Sequence, residues 1–425
     1  MLRSVLRRFP LSLSGTTAIA LSAIAFFHGA RRQDLVLTLA GVWGLLVVGA
    51  TGAAVMAYAW RTRRDLRLAV ERAGDVPLDG VEERAFATGV TIPRRAWPLV
   101  TELDWIWSEP AAGVCVSVNG NRLAEQAVPR SRWFGARIVR SYVVQDLLGL
   151  WRIRGRLVRE RPVLVLPDTG LLRAADVATC LSSGDLASHP FGDPRGDRVD
   201  FRTYTRSDPA RLILWKVYAR TRELMVRVPE PARTPETRPL VYLLAGEHDD
   251  AAAGLGRLLM ESGVLGDGAR FAADGSPDPV TERGDVHEAL AASRAHRGRG
   301  GKDLAAALAH ETVAPDDSVV LLCPGVAGRW LRSVMYQLAR RTDRFLVIVA
   351  GDVAAEARAP AVWQKLVWRD GSGRQSSTHR GVDVAEMLRT ARPLIGSGAR
   401  VLMADRRTGR LTRLSGETAA AGAGA

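Results

Sequence analysis

The sequence predicts an α/β C-terminal domain, preceded by a small β-sandwich-like module and an N-terminal two-helix transmembrane hairpin. Three observations lead there. Two long runs without Asp, Glu, Lys or Arg stand near the N-terminus. Short runs with apolar/polar alternation follow between about residues 97 and 167, the signal of half-buried strands. From Leu240 onward, strand-like and helix-like pieces alternate, which implies a mostly parallel sheet with helices on both faces. The chain has 425 residues, enough at ~100–200 residues per domain for two or three domains. With 47% hydrophobic and 24% charged residues it is neither disordered nor collagen-like. Three cysteines, Cys115, Cys180 and Cys323, exclude a disulfide framework and a four-cysteine zinc site.

The hairpin is expected over residues 1–72, with spans at about 11–30 and 35–60. Leu11 to Ala30 and Leu35 to Trp60 are each long enough to cross a bilayer, for which ~20 residues suffice. A cleaved signal peptide competes for the first run, which has a basic start and small residues near its end. The run exceeds the ~7–15 apolar residues of a signal core, and the second run needs a membrane in either case. Arg3, Arg7 and Arg8 precede the first run, and Arg61, Arg63, Arg64 and Arg67 follow the second. Arg31, Arg32 and Asp34 hold the turn. This bias places both ends, and the domains after them, in the cytoplasm of a cell-membrane protein. Small residues recur in both runs (Ser14, Ala18, Ser22; Gly49, Ala53, Ala57) at a spacing that permits close helix approach; membrane helices rich in Ala and Gly show it equally. Arg61 to Arg72 continues the second helix, and Gly74, Asp75, Pro77, Asp79 and Gly80 break it.

The β-rich module is expected over 95–168, where short strands at regular spacing suggest a small β-sandwich or barrel. Its strand-like runs are Val114–Val118, Ala136–Val144, Trp151–Val158 and Pro162–Leu166, and Asn119-Gly120 is a tight-turn signal. Its tryptophans read as core and rim packing. Leu171 to Gly196 reads as loop, and Pro229 to Pro239 as a linker. The α/β domain is expected over 238–415. Its strands are Leu240–Leu244, Ser318–Cys323, Phe345–Ala350 and Arg400–Ala404. Its helices are Ala251–Ser262, Asp285–Ala295, Asp303–Glu311, Trp330–Arg341 and Val384–Thr390, with a hairpin over Arg407–Leu414. Residues 416–425 read as a disordered tail.

Tests for catalytic motifs fail. A phosphate loop needs Gly five residues before Gly301-Lys302 and Ser or Thr after; His296 and Asp303 stand there. His287-Glu288 and His310-Glu311 lack the second histidine of a zinc helix, with Ala291 and Ala314 in its place. No G-x-S-x-G elbow occurs. Cys323 ends a strand with nothing local to lower its pKa. No cofactor is expected and no enzymatic activity is assigned. The formal net charge is +14, but three lysines stand against 56 arginines. That skew can reflect a GC-rich genome as easily as function, and no reading motif accompanies it, so no specific nucleic-acid partner is expected. The basic flanks suit anionic headgroups of the lipid bilayer instead.

The block at 190–230 carries identity. Its cations and carboxylates are laced with Trp and Tyr, a composition suited to a buried ion-pair network clamping the two domains, or to an interaction surface. It resembles the signature of the DUF58 family, roughly L-R-x-Y-x-x-G-D-x-x-R-x-I-H-W-K-x-x-A-R-x-x-x-L-x-V-R-x-x-E. Arg202, Tyr204, Asp208, Arg211, Ile213, Trp215, Lys216, Ala219, Arg220, Leu224, Val226, Arg227 and Glu230 match, while Phe201, Ser207 and Leu214 depart. Asp146-Leu147-Leu148-Gly149-Leu150, Pro162–Pro167 and the paired spans are also similar to family segments. The resemblance implies a Rossmann-type, von Willebrand factor A-like α/β domain. It implies a MoxR-type AAA+ ATPase partner and a transglutaminase-like membrane protein as a neighbour. With no catalytic motif, the expected function is a membrane-anchored, non-enzymatic scaffold or adaptor in complex assembly or maturation, its A-like domain engaging that partner. The alternative is an enzyme with its site in the Asp208–Arg227 block. Metal-binding A domains hold a divalent cation with D-x-S-x-S after the first strand; here Ala245, Glu247 and Asp249 stand at those positions, a degenerate loop.

Overall fold

The computed structural model describes residues 11–94, 100–182, 199–203, 215–229, 238–266, 268–313, 317–340, 345–353 and 381–414, with 101–104, 181–182, 199–203 and 226–229 given by backbone alone. Two compact units meet in the sequence at Asp168 and Thr169. Tyr204, Asp208, Arg211, most of the expected linker and the tail lie outside the described residues.

The first unit opens with α1 (Leu13–Arg32) and α2 (Leu35–Arg72), both long and apolar enough to cross a membrane. Ser12 caps α1 by accepting from Gly15 N–H, and Asp34 caps α2 by accepting from Val36 and Leu37 N–H. α2 runs unbroken past its apolar stretch. In its C-terminal half Val55, Ala59, Thr62, Leu66, Ala69 and Val70 are buried, a four–three repeat that makes one helical stripe. Arg61, Arg63, Arg64 and Arg67 face the other way, exposed. The stripe packs on Val90, Ile92, Trp105, Tyr142 and Val144 of the sheet.

That sheet has seven strands: β1 (Leu78–Val81), β2 (Phe86–Pro93), β3 (Val100–Glu109), β4 (Ala111–Asn119), β5 (Arg122–Pro129), β6 (Trp133–Asp146) and β7 (Arg152–Leu166). Their order is β1-β7-β6-β3-β4-β5-β2. This corrects the expected sandwich: it is one continuous sheet whose edge strands are consecutive in the chain. The segment Gly74–Gly80, read only as a helix breaker, leads straight into β1. The runs Trp151–Val158 and Pro162–Leu166 are one strand. The turn at Asn119-Gly120 joins β4 to β5, with Asn119 opposite Arg122 and Gly120 at φ +59°.

Glu125 lies inside this sheet. Arg140 donates to its carboxylate from Nε (3.0 Å) and Nη2 (3.0 Å), Trp105 and Trp107 donate from their indoles (3.2 and 2.8 Å), and the Thr88 hydroxyl donates at 2.6 Å. The Arg140 guanidinium also lies 5.0 Å from the centre of the Trp107 ring. A buried ion pair is tolerated when its remaining hydrogen-bond positions are filled, and here Trp and Thr fill them.

The second unit begins with α3 (Ala174–Ser182), where a loop was expected; Val177 of this helix is fully buried. β8 (Val199–Thr203) and β9 (Met225–Pro229) pair antiparallel around α4 (Trp215–Thr221). The main sheet contains β10 (Leu240–Leu243), β11 (Arg270–Ala273), β12 (Ser276–Val280), β13 (Val319–Pro324), β14 (Phe345–Gly351), β15 (Arg400–Asp405) and β16 (Leu411–Leu414). The helices are α5 (Asp250–Ser262), α6 (Arg283–Ala292), α7 (Leu304–Leu308), α8 (Arg329–Leu338) and α9 (Val384–Gly396). The order β12-β11-β10-β13-β14-β15-β16 has a parallel centre and an antiparallel strand at each edge. Counted from β10 it reads 3-2-1-4-5-6-7, a doubly wound order. Val241, Leu243, Phe271, Leu322 and Ile348 face α5 and α6, while Tyr242, Leu244, Leu321, Val347 and Val349 face α7, α8 and α9. Burial on both faces explains the unbroken apolar runs.

β11 and β12 were not foreseen. Arg270 interrupts the β11 run, but it is buried because it pairs with Asp317 and donates to the carbonyls of Arg238 and Thr312. β12 carries Pro277 and Pro279, which an edge strand accommodates.

Candidate functional site

In open α/β sheets, ligands collect outside the carboxyl ends of the strands where the winding reverses. Here that point lies between β10 and β13. It is built from the loop after β10, residues 244–249, the end of β11, and the turn after α6.

The loop after β10 folds onto Asp274. Ala245 N–H and Gly301 N–H each donate to Asp274 Oδ2 at 2.8 Å, and the Tyr242 hydroxyl donates to Oδ1 at 2.8 Å. Burial pushes the Asp274 carboxyl above its ordinary range, against the pull of these donors. Burial, then the adjacent Asp274 charge, raises the Tyr242 hydroxyl as well, so it stays a donor.

Asp249 lies at the far end of the loop, its side chain fully buried. It accepts from Gly246 N–H at 3.0 Å, which closes the loop. Arg297 then seals it. Arg297 Nε and Nη2 donate to Asp249 Oδ1 at 2.9 and 2.6 Å, and Nη2 reaches Asp250 Oδ1 at 2.6 Å. Arg297 comes from a 3₁₀ segment, Ser293–Arg299, that continues α6.

The glycines beyond it allow close approach. A Cβ on Gly300 would lie 1.9 Å from the Ala245 carbonyl oxygen, and Gly301 has φ +76° with Trp330 and Ser333 against it. This explains the Gly-rich run ending at Gly301-Lys302: it is packing, not a phosphate cradle. Lys302 is exposed.

The degenerate metal loop can now be assessed. Ala245 is buried and has no ligand atom, Glu247 is exposed, and Asp249 is occupied by a guanidinium. Among the described residues no three His, Cys, Asp or Glu side chains group closely enough to hold a metal ion. The site does not fit a divalent cation of the A-domain kind, because a built-in positive charge already sits on its carboxylates. The other tested groups are also engaged. His287 pairs with Glu261 at 2.9 Å, and Arg257 joins at 2.8 Å. Burial raises Glu261, but these two partners together bring it below its usual range. His310 meets Thr312 at 2.9 Å. Cys323 is fully buried and its thiol is pushed well up by burial.

The signature block is only partly brought together. Arg202 and Arg227 stand in the β8–β9 ladder, where Arg202 is opposite Val226 and Phe201 opposite Arg227. Trp215, Lys216 and Arg220 lie on α4, which buries none of its residues. Trp215 is 60% exposed and stacks edge-on with Tyr218 at 6.3 Å. Among the described side chains of the block, Trp215, Lys216 and Arg220 form an exposed aromatic-cationic surface on α4. Sequence reading missed Asp274, Asp250 and Arg297. Asp274 directly follows the β11 strand, a detectable position, whereas Arg297 meets Asp249 across 48 residues of sequence, which no local pattern reveals. No family model, curated protein or solved structure matches the chain.

Proposed function

We propose that this chain is a membrane-anchored, non-enzymatic scaffold of the DUF58 kind. In this reading its second unit is a von Willebrand factor A-like domain that engages a cytoplasmic MoxR-type AAA+ ATPase in complex assembly or maturation. The observation that carries the scaffold reading is the crevice at the β10–β13 reversal, where Arg297 bridges Asp249 and Asp250 and occupies the site. The doubly wound strand order supports the A-like assignment. Exposed Trp215, Lys216 and Arg220 suit a contact surface better than a reaction cleft, and favour an acidic partner. The class of partner comes from the family resemblance. Both termini of the α1–α2 hairpin lie in the cytoplasm, following the arginines that flank it.

Two measurements test this reading. A fluorescent reporter fused after Ala425 should glow, and a phosphatase active only outside the cytoplasm should be silent there. The reverse pattern removes a direct contact with a cytoplasmic ATPase. Gentle solubilisation after crosslinking should then recover an AAA+ ATPase, identified by mass spectrometry. Lys216→Glu with Arg220→Glu should reduce its yield severalfold at unchanged membrane abundance. Recovery of no ATPase from crosslinked membranes refutes the partner.

A further inference from the structure

We propose that the tip of the β6–β7 hairpin is a third membrane contact, with Leu147 and Leu148 entering the interfacial layer of the bilayer where α1 and α2 meet it. The inference rests on the reading of α1 and α2 as membrane spans.

Leu147 and Leu148 are 64% and 55% exposed at the end of a long hairpin. The other apolar residues of the turn face inward: Leu150 is buried, and Trp151 packs on Gly52 of α2. The tip is also rigid. Asp146 accepts from Leu148 N–H at 3.1 Å and from Trp151 N–H at 2.7 Å, and Gly149 N–H donates to the Asp146 carbonyl at 3.1 Å. The carbonyls of Gly149 and Leu150 are engaged as well. Gly149 O accepts from the Ser12 and Ser14 hydroxyls at 2.6 and 3.1 Å, and Leu150 O accepts from Ser12 N–H at 2.9 Å. Backbone groups satisfied in this way can leave water without penalty.

Two counts place the tip at the bilayer surface. α1 begins at Leu13, next to the Ser12 that binds the tip, and its 20 residues span ~30 Å, one hydrocarbon thickness. Its first turn therefore marks one face of the bilayer. On α2, ~20 residues from Leu35 end near Ala54. The Trp151 indole donates to Val48 O at 2.9 Å, within about two turns of that point. From there α2 is committed to the sheet through Val55, Ala59 and Leu66. The tip is thus tied to both helices at the depth where each leaves the bilayer. Exposed Arg152, Arg154 and Arg156 alternate along β7 immediately behind it, on one face of the strand, as contact with anionic headgroups requires.

The test uses the full chain, carrying Cys115→Ser and Cys180→Ser, in vesicles of phosphatidylcholine and phosphatidylglycerol. A nitroxide is attached at Leu148→Cys or Leu147→Cys, and its collisions with oxygen and with a water-soluble nickel chelate are compared. Ile24→Cys on α1 reports the span. Ala85→Cys, in the turn after β1, reports water at the far end of the sheet. Oxygen collisions should dominate at Leu147→Cys and Leu148→Cys, as at Ile24→Cys, and nickel collisions at Ala85→Cys. If both tip labels behave like Ala85→Cys while Ile24→Cys remains shielded, the tip inference fails and the spans stand. If Ile24→Cys is itself exposed to nickel, the spans fail and the tip with them.

Discussion

Glu125 in the first unit and Asp274 in the second are each 1% exposed, yet their surroundings differ in kind. Glu125 sits against a guanidinium, with two indoles and a hydroxyl filling its other positions. Asp274 is held by a tyrosine hydroxyl and backbone N–H groups, all neutral donors. The first arrangement keeps a charge by pairing it. The second tolerates a charge only through dipoles, and the proton is correspondingly harder to remove. The lesson is that equal burial leads to different weaknesses. A paired carboxylate is vulnerable to loss of its cation, and a dipole-held one to a change of pH.

The largest expected effect follows from removing the cation. Arg140→Met leaves the Glu125 carboxyl without its cation inside the sheet and should cost about 3–5 kcal/mol. Thermal unfolding of the detergent-solubilised chain measures it. Adding Glu125→Gln should restore much of the loss, since an uncharged amide needs no cation. If the double variant is no more stable than Arg140→Met alone, lost packing on Trp107 is the cause and the comparison breaks.

Arg297→Ala applies the same operation at the crevice of the second unit. The Arg297 side chain is 26% exposed, so water enters where the guanidinium leaves. The cost should fall to about 1–3 kcal/mol, between buried and surface pairs. Arg297→Lys should recover only part, because an ammonium cannot serve Asp249 and Asp250 with the same planar fork. Should Arg297→Ala cost as much as Arg140→Met, the crevice is as dry as the β-sheet interior. Added divalent cations offer a sharper reading: Arg297→Ala removes the guanidinium that bridges two carboxylates, and gain of calcium-dependent thermal protection in that variant alone would show that the arginine holds a metal's place.

These two sites also show what the sequence carried. The α/β sheet was largely legible, because strands buried on both faces appear as continuous apolar runs such as Val319–Cys323 and Phe345–Ala350. The apolar helices were legible from length alone. The β-module was blurred because its core is partly polar: Glu125 and Arg140 look like solvent-facing residues in an alternating strand until the ladder brings them together. β11 was hidden likewise by Arg270, whose partner Asp317 is 47 residues away. The helix Ala174–Ser182 was lost in a stretch that is otherwise rich in Gly, Ser, Asp and Pro. The crevice was half legible. The loop Ala245–Asp249 was located, with its missing leading carboxylate, but the arginine that fills it comes from a turn examined for phosphate binding.

The smallest effect is a slope, and it separates the two carboxylates most cleanly. Burial raises the Asp274 carboxyl above its ordinary value of 3.8 in the folded chain. Between that lower value and the raised one, the folded state binds more protons than the unfolded state, so stability falls as pH rises through the window. The slope reaches at most about 1.4 kcal/mol per pH unit. Asp274→Asn should flatten it while keeping the fold. The amide oxygen can accept from Ala245 and Gly301 N–H, and the amide nitrogen can donate to the Tyr242 oxygen once that hydroxyl rotates. The measurement is the unfolding midpoint of the solubilised chain at a series of pH values, for wild type and for Asp274→Asn. Parallel curves would mean that Asp274 titrates alike in both states. In that case the backbone N–H groups match hydration as well as a guanidinium does, and the contrast with Glu125 disappears.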